Sequence, residues 1–312
     1  MLLEIASNPC PAGAQTCLVT AADGVRLRSA SWVPQGPQRG TILMLQGRAE
    51  FIEKYFETIA RFLDWGFAVI CFDWRGQGGS DRLLEDPMKG HIDAFEDYQK
   101  DLQAIRAYYA HLLEQPVLTF AHSMGGMILL RAFKASPDLA KAAVMTAPML
   151  DIQLLRQQSW LKTVISTCCL IGMKNHYPPL HRSQSPFTMK FERNPLTRNR
   201  SRFERNQMIL RTRPDLALGM PTLGWLKEAM RAIDDLPQVI TSLQQSGPRH
   251  VLVIAPQQDR VTASEATRSF CAALDHVELV EINEIEHEVL MEHDAVRAQF
   301  WSAVEEKILP LF

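Results

Sequence analysis

The sequence contains neither a hydrophobic run long enough to span a membrane nor the basic, apolar start that marks a secretory leader. Its longest strongly apolar stretch, 164–173, has ten residues, whereas a membrane helix needs about 20. The first ten residues, MLLEIASNPC, include no Lys or Arg, so we expect no secretory signal. We therefore expect a cytoplasmic protein, with peripheral contact at the inner membrane face as a second expectation.

Charge excess, metal-binding spacings and phosphate-binding loops are also missing. A net charge of −2 argues against general nucleic-acid binding. Six scattered cysteines form no C-x-x-C pair and no zinc-like cluster with His, so we expect reduced thiols and no metal. The glycine-rich stretch 72–82 lacks the Gly-Lys-Ser/Thr ending of a phosphate loop, and we predict a structural turn there.

What the sequence does contain is a regular alternation of short apolar segments and amphipathic ones. Segment 18–33 is predicted to be a β-hairpin, because Asp23-Gly24 is a turn signal between β-rich flanks. Strands that alternate with helices predict an α/β fold with a mostly parallel central sheet and helices on both faces. Further strands are predicted at 40–47, 67–73, 116–121, 141–148, 249–256 and 276–282, and helices at 51–66, at 95–112 and after Ser123.

Segment 151–239 breaks this alternation, because it is helical, irregular and rich in proline. We predict that it is a cap, or lid, inserted into a core made of residues 1–150 and 240–312. Open α/β sheets place their sites at the carboxyl ends of the strands, where such insertions lie. The cap is therefore expected to shape a substrate site.

Ser123 is the candidate nucleophile of that site. It stands in Ala121-His122-Ser123-Met124-Gly125, between the predicted strand 116–121 and a predicted helix. A strand, a small-x-Ser-x-Gly turn and a helix together project a serine hydroxyl to where a carbonyl can approach it. The alternative is a packing serine in a crowded segment. His122 is expected to have a structural role.

A serine of this kind needs a base and an acid, which follow it in the order acid, then His. His287 comes just after the final predicted strand and is the best-placed base, ahead of His276 and His293. Asp259 leaves the end of the preceding strand, where a carboxylate can accept the imidazole N–H and stabilise the imidazolium. The alternative for Asp259 is a surface turn.

Catalysis of acyl transfer also requires two N–H groups that face the developing oxyanion. Met124 follows the nucleophile at the start of its helix and is expected to offer one. Gly47 allows a turn after the strand 40–47, so the N–H of Arg48 is expected to be the other. A plain strand-to-helix loop is the alternative for this segment.

With these residues in place, the chain resembles the α/β-hydrolases, and more narrowly the group of lysophospholipase L2 and monoacylglycerol lipase. The resemblance implies an α/β-hydrolase fold with an inserted helical cap, a triad of Ser123, Asp259 and His287, and oxyanion donors at Arg48 and Met124. It covers most of the chain from about residue 18. The supporting stretches are 45–55, 72–82, 90–102, 121–126 (AHSMGG), 194–207, 221–229, 259–262 (DRVT) and 287–292 (HEVLME).

Three positions depart from the group's pattern. Gln46 stands where monoacylglycerol lipases usually have His, Ala121 replaces the first elbow glycine, and the acid loop 256–259 has no glycine. None of these changes removes a catalytic group.

The parts predict hydrolysis of a carboxylic ester through an acyl-enzyme, with no metal or organic cofactor. The resemblance implies a lysophospholipid or monoacylglycerol substrate. The alternatives are a small-ester esterase, an acyltransferase on the same triad, or a catalytically silent binding module. Dehalogenase or epoxide hydrolase chemistry is disfavoured, because relatives with those activities need an aspartate at the position of Ser123.

Two features of the predicted cap bear on the substrate. The segment 182–213 has eight arginines and Lys190 against Glu192 and Glu204; it either attracts an anionic headgroup or membrane surface or forms a solvated, salt-bridged face. Apolar side chains in 152–173 either line an acyl-chain site or pack on the core. They are Ile152, Leu154, Leu155, Trp160, Leu161, Val164, Ile165 and Ile171.

Overall fold

The computed structural model describes residues 2–179, 185–246 and 250–312, and within these ranges eight strands form one central sheet. Each predicted strand is present close to its predicted position, including the hairpin. The strands are β1 (Gln15–Thr20), β2 (Arg26–Trp32), β3 (Gly40–Leu45), β4 (Phe67–Phe72), β5 (Val117–His122), β6 (Ala142–Thr146), β7 (Val251–Pro256) and β8 (Val277–Ile282).

The sheet is parallel except at one edge, where the hairpin lies. Its strand order is β1-β2-β4-β3-β5-β6-β7-β8. The pairs β1–β2 and β2–β4 are antiparallel, and the pairs from β4 through β8 are parallel. Strands β3, β4, β6 and β7 are buried along their whole length, as expected for parallel strands covered on both faces.

Helices cover both faces of the sheet, as predicted. Leu43 and Leu45 of β3 belong to one hydrophobic cluster, whereas Ile42 and Met44 belong to a second cluster on the other face. No helix in the described ranges is long and apolar enough to cross a bilayer. The α-helices are α1 (Phe56–Asp64), α2 (Asp97–Tyr108), α3 (Met124–Ala135), α4 (Gln153–Gln157), α5 (Trp160–Leu170), α6 (Arg200–Thr212), α7 (Leu223–Asp234), α8 (Leu236–Ser246), α9 (Ser264–Ala272) and α10 (Asp294–Lys307).

Helices α2, α3, α7, α8 and α9 contribute to the cluster that contains Leu43, and α1 and α10 contribute to the cluster that contains Ile42. The predicted helix 51–66 starts as a 3₁₀ turn, Ile52–Tyr55, and continues as α1. It is followed by Gly66, whose φ of 83° lies in the left-handed region that favours glycine. The predicted fold class is confirmed.

Residues 151–239, called the inserted segment below, lie between β6 and β7 and contain α4 to α7 and the start of α8. Helix α5 packs against α7. Because β5 and β6 are parallel neighbours, the inserted segment leaves the sheet at the same edge at which β5 ends. That edge carries Ser123.

Candidate active site

Ser123 occupies a sharp turn between β5, which ends at His122, and α3, which begins at Met124. Its φ of 50° and ψ of −115° are unusual for a residue with a side chain, and strained backbone of this kind clusters at functional sites. Backbone hydrogen bonds hold the turn: Ser123 N donates to the Thr146 carbonyl at 3.0 Å, and Met149 N and Gly126 N both donate to the Ser123 carbonyl at 2.9 Å. The predicted strand–turn–helix arrangement is confirmed.

The small residues around the turn allow its close packing. A Cβ atom at Gly125 would lie 2.1 Å from the carbonyl oxygen of Leu45, and one at Gly126 would lie 2.7 Å from Cβ of Pro148. Such separations are far below any real contact, so the start of α3 approaches β3 only because residue 125 is glycine. Ala121 is fully buried, and its methyl group fits where the resembled group has glycine.

Asp259 and His287 form a hydrogen-bonded pair at the ends of β7 and β8. The distance between Asp259 Oδ2 and His287 Nδ1 is 2.6 Å. The carboxylate also accepts hydrogen bonds from Val261 N at 2.7 Å and from the Thr262 hydroxyl at 2.8 Å. A ring that donates its Nδ1 proton to Asp259 presents an unprotonated Nε2, the tautomer that a general base requires.

The pKa of His287 is raised and that of Asp259 is lowered, as expected of an imidazole and a carboxylate that stabilise each other's charged forms. Burial by itself lowers the pKa of His287, but the charge and hydrogen bond of Asp259, followed by the charges of Glu288 and Glu50, raise the pKa above its ordinary value. Burial raises the pKa of Asp259, but the attraction and hydrogen bond of His287 lower it overall. The carboxylate is therefore ionised at neutral pH and stabilises positive charge on the ring.

Ser123, His287, Met124 and Arg48 all line one cavity of about 440 Å³. Asp259 is bonded to the imidazole of His287 and is itself buried. Within the described residues the Ser123 hydroxyl makes no hydrogen bond, so it is available to an incoming carbonyl group. Sequence reasoning thus selected four residues that border one cavity, and Asp259, whose carboxylate is bonded to one of the four, His287.

The loop after β3 is held on both sides of Arg48. Gly47 N donates to Glu50 Oε2 at 2.5 Å, and Gln77 Nε2 donates to the Gly47 carbonyl at 2.8 Å. Ala49, with a φ of 61°, donates its N–H to Gln77 Oε1 at 3.2 Å. In the described part of the chain the N–H groups of Arg48 and Met124 have no hydrogen-bond partner, as expected of donors kept free for an oxyanion.

Sequence reasoning missed a buried group of charges beside this loop, which we call the polar cluster: Glu50, Lys54, Tyr55 and Glu288. Lys54 Nζ lies 2.6 Å from Glu50 Oε1 and 2.6 Å from Glu288 Oε1, and the Tyr55 hydroxyl donates to Glu50 at 2.6 Å. The cluster connects the loop that holds Arg48 to the residue after His287. The four-residue spacing of Glu50 and Lys54 was the available signal.

Glu50, His122 and Glu288 also offer ligand atoms within 4.8 Å of one another, the spacing of a metal site. The ammonium group of Lys54 already bonds both carboxylates. A lysine side chain therefore supplies the positive charge that a metal ion would otherwise bring. We therefore assign no metal to this group of ligands.

His122 precedes Ser123 in the chain, and its environment differs from that of His287. Their ring centroids are 4.9 Å apart, and His122 Nδ1 lies 2.9 Å from the Thr146 hydroxyl. Burial is the main cause that lowers the pKa of His122 to about 3. It is therefore neutral at pH 7, in agreement with the structural role expected for it.

Gln46 and the stretch 72–82 form hydrogen bonds with each other and with the loop after β3. Gln46 is buried, and its Nε2 lies 3.4 Å from Asp73 Oδ1. Asp73 accepts hydrogen bonds from Ile52 N at 3.0 Å and from Gly79 N at 2.7 Å. The predicted structural turn is confirmed, and Gln46, which departs from the resembled group's pattern, is buried and does not border the cavity.

The inserted segment supplies much of the cavity's apolar wall. Of the eight apolar residues singled out in 152–173, Trp160 and Ile171 instead face solvent, with exposures of 52% and 70%. The positions of Trp160 and Ile171 at the two ends of α5 were compatible with either a buried or an exposed side chain. The six that line the cavity are Ile152, Leu154, Leu155, Leu161, Val164 and Ile165.

The basic segment is largely neutralised by ion pairs. Arg202 and Arg205 both contact Glu57, at 3.0 and 2.6 Å, and Arg200 contacts Glu192 at 2.7 Å. Residues 182–184 lie outside the described residues. For the remainder, the interpretation as a salt-bridged face is favoured over a headgroup site.

The chain is similar to one protein family and to individual proteins of known name. Residues 36–294 match the family model described as serine aminopeptidase, S33. Lysophospholipase L2 of Escherichia coli K12 is 30% identical over 295 residues, which cover 89% of this chain and 83% of that protein. Probable lysophospholipase L2 of Haemophilus influenzae is 27% identical over 275 residues, with 87% and 84% covered.

Solved structures with the same fold include two lipases. A soluble variant of the Saccharomyces cerevisiae monoglyceride lipase, in complex with a substrate analogue, has a TM-score of 0.74 at 14% identity, with 97% of this chain and 98% of that chain covered. The Paleococcus ferrophilus monoacylglycerol lipase has a TM-score of 0.70 at 19% identity, with 92% and 99% covered.

Proposed function

Because the chain belongs to the S33 family of α/β-hydrolases and is an ester hydrolase of the lysophospholipase and lipase type, we propose that it cleaves the acyl ester of a monoacyl glycerolipid through an acyl-enzyme on Ser123. One observation carries the proposal. A serine on a strained turn and an Asp259–His287 pair meet at a single cavity that has two unbonded N–H groups, from Arg48 and Met124, in its wall.

In the proposed mechanism, Nε2 of His287 takes the proton of the Ser123 hydroxyl as its oxygen attacks the ester carbonyl. The carbonyl oxygen becomes an oxyanion and accepts hydrogen bonds from the N–H groups of Arg48 and Met124. Asp259 stabilises the imidazolium, which then gives its proton to the departing alcohol. Water, deprotonated by His287, hydrolyses the acyl-enzyme by the same steps in reverse.

The cavity favours an apolar acyl chain over a free amino terminus. An aminopeptidase needs an unpaired anionic group to bind the substrate's ammonium group. The carboxylates of Glu50 and Glu288, which border the cavity, are both bonded to Lys54. The inserted segment instead offers aliphatic side chains, which gain free energy by burying an alkyl chain.

We further propose that the inserted segment is the lid of the site and touches a lipid surface. Trp160, at the start of α5, is 52% exposed, and Leu170 and Ile171, at its end, are 80% and 70% exposed. Aromatic and aliphatic side chains on one exposed helix are suited to the membrane interface. Peripheral contact there would bring lipid esters to the cavity.

Hydrolysis of a panel of esters tests the proposed function. The panel contains a lysophospholipid and a monoacylglycerol with the same acyl chain, a short-chain ester and an amino-acid amide. We expect the highest kcat/KM for the long-chain esters and no cleavage of the amide. Preference for the short ester would identify a small-ester esterase, and transfer of the acyl group to an added alcohol in place of water would identify an acyltransferase. No turnover of any ester by the folded protein would support a silent binding module.

A further inference from the structure

Arg48 brings a buried positive charge to the cavity wall without a carboxylate to balance it. Its Nη2 donates to the carbonyl oxygen of Gly219 at 2.6 Å, and its guanidinium carbon lies 5.3 Å from the centre of the Trp225 ring. Its Nε is buried and has no hydrogen-bond partner. Within the described residues, no Asp or Glu carboxylate bonds to this side chain.

Two other cations, one at the cavity and one in the basic segment, are paired with carboxylates. Lys54 contacts two carboxylates of the polar cluster, and Arg202 of the basic segment contacts Glu57 and Asp294. A buried guanidinium without a counter-charge is costly. Burial lowers the pKa of Arg48 to about 10, partly offset by the tyrosines Tyr98 and Tyr177 nearby, so the side chain is still charged at neutral pH.

The surroundings of Arg48 are built to hold the guanidinium in place. A Cβ atom at Gly90 would lie 2.2 Å from Arg48 Nη2, so only glycine leaves room for the side chain. The Trp225 ring on which the guanidinium stacks is itself fixed, because its Nε1 donates to the Tyr98 hydroxyl at 3.1 Å. A fixed cation with a spare N–H donor beside a ligand cavity is the arrangement that binds an anion.

We propose that the Arg48 side chain binds the phosphodiester group of a lysophospholipid. The enzyme therefore prefers monoacyl glycerolipids that carry this anionic group to monoacylglycerol, which lacks it. This inference rests on the proposed function and narrows its substrate class. The same residue supplies a proposed oxyanion donor from its main chain.

The discriminating measurement is the ratio of kcat/KM for a lysophospholipid to that for a monoacylglycerol with the same acyl chain, both below their micelle-forming concentrations. We expect Arg48→Gln to lower this ratio about tenfold or more, as the loss of a charge-assisted hydrogen bond predicts, and Arg48→Lys to lower it less. An unchanged ratio in Arg48→Gln would overturn the inference.

Arg82→Gln is the matched control. Arg82 also donates to backbone carbonyls, at 2.8 Å for Gly76 and 2.7 Å for Asp215. It likewise has no carboxylate partner within the described residues, but it does not border the cavity. We expect the substrate ratio to stay that of the unmodified enzyme. A fall equal to that in Arg48→Gln would mean that loss of any such arginine changes the ratio, and would contradict a headgroup site.

Binding to Ser123→Ala separates the headgroup site from turnover. We expect this variant to bind the lysophospholipid more tightly than the monoacylglycerol, and the added change Arg48→Lys or Arg48→Gln to reduce that difference. Equal affinities in Ser123→Ala would contradict the inference even if the enzyme hydrolyses both lipids. A missing activity combined with the expected affinities would instead contradict the proposed function alone.

Two other anions share the chemistry of the headgroup: free phosphate and the carboxylate of a fatty acid product. Competition against monoacylglycerol hydrolysis distinguishes them. Inhibition by glycerol 3-phosphate that is weakened in Arg48→Lys supports a headgroup site. Inhibition by inorganic phosphate as strong as that by glycerol 3-phosphate, or by fatty acid alone, would assign Arg48 to those anions and contradict the proposal.

Discussion

The core and the inserted segment build the same cavity with different kinds of contact. In the core, Ser123, His287 and the loop around Arg48 are held by short hydrogen bonds and buried ion pairs. The inserted segment contributes mainly aliphatic side chains to the wall and leaves Leu170 and Ile171 exposed. The core thus supplies the proposed catalytic groups and the proposed headgroup contact of Arg48, whereas the inserted segment supplies most of the surface proposed to bind the acyl chain.

This contrast predicts that changes in the triad alter the turnover of every ester, whereas changes in the apolar side chains of the inserted segment alter mainly that of lipids. The largest effect is expected from Asp259→Asn. Loss of the carboxylate removes the partner that orients His287 and stabilises the imidazolium, and related triads lose about 10⁴-fold in kcat from this change. Parallel kcat measurements on a short ester and a lysophospholipid check it, and a loss confined to the lysophospholipid would break the contrast.

Lys54→Met should affect stability as well as rate. It leaves Glu50 and Glu288 as buried carboxylates without a cation, and breaking a buried ion pair costs about 3–5 kcal/mol. Urea unfolding measures the loss. Adding Glu50→Gln and Glu288→Gln to Lys54→Met should recover part of it. An unfolding free energy equal to that of the unmodified protein in Lys54→Met would show that the polar cluster does not support the core.

The pH dependence of kcat/KM should report the titration of His287. His287 must be neutral to act as a base, so kcat/KM is expected to rise with pH through a midpoint above about 6.5, since its pKa is raised. Glu288→Gln removes one raising charge and should move that midpoint to lower pH. A midpoint below about 6, unchanged by Glu288→Gln, would contradict His287 as the base.

The free energy of unfolding should change with pH in opposite directions through His287 and His122. The raised pKa of His287 adds stability that is complete below its unfolded value and is lost as pH rises through its folded value. His122 has a lowered pKa of about 3, so the unfolded chain binds its proton first and His122 removes stability as pH falls from about 6.5 toward 3.

The smallest effect on chemistry is expected in the inserted segment, from Leu170→Ser combined with Ile171→Ser. Exposed substitutions of this kind usually change stability by no more than about 0.5 kcal/mol, and the rate on a dissolved short ester should stay close to that of the unmodified enzyme. Hydrolysis of lysophospholipid in vesicles, and co-sedimentation with those vesicles, should fall. Unchanged co-sedimentation would remove the proposed lipid contact.

The sequence predicted the sheet and the site because both depend on local signals combined with one general rule. Strands read from apolar runs are parallel, and the carboxyl ends of parallel strands meet at one edge of a sheet. Ser123, Asp259 and His287 each follow such a strand, so their meeting at that edge followed from their positions in the chain. The strand–turn–helix arrangement at Ser123 was predicted from the small residues beside it, whereas its unusual backbone angles are seen only in the structure.

Other features depend on distant contacts that no local pattern encodes. Lys54 joins Glu50 to Glu288, and only the folded loops reveal that these carboxylates are neighbours. The isolation of Arg48 depends on Trp225 and Gly219 of the inserted segment. The exposure of Trp160 and Ile171 could not be predicted from the sequence either, because the packing partner of α5 decides which face of that helix is covered.

Covalent labelling with a fluorophosphonate, located by mass spectrometry of peptides, tests the central claim most directly. The compound reacts with a serine only where a base activates the hydroxyl and N–H groups face its phosphoryl oxygen. We predict one adduct, on Ser123, that is absent in Ser123→Ala and forms far more slowly in His287→Ala. An adduct on another residue, or labelling at full rate without the imidazole of His287, would contradict the account.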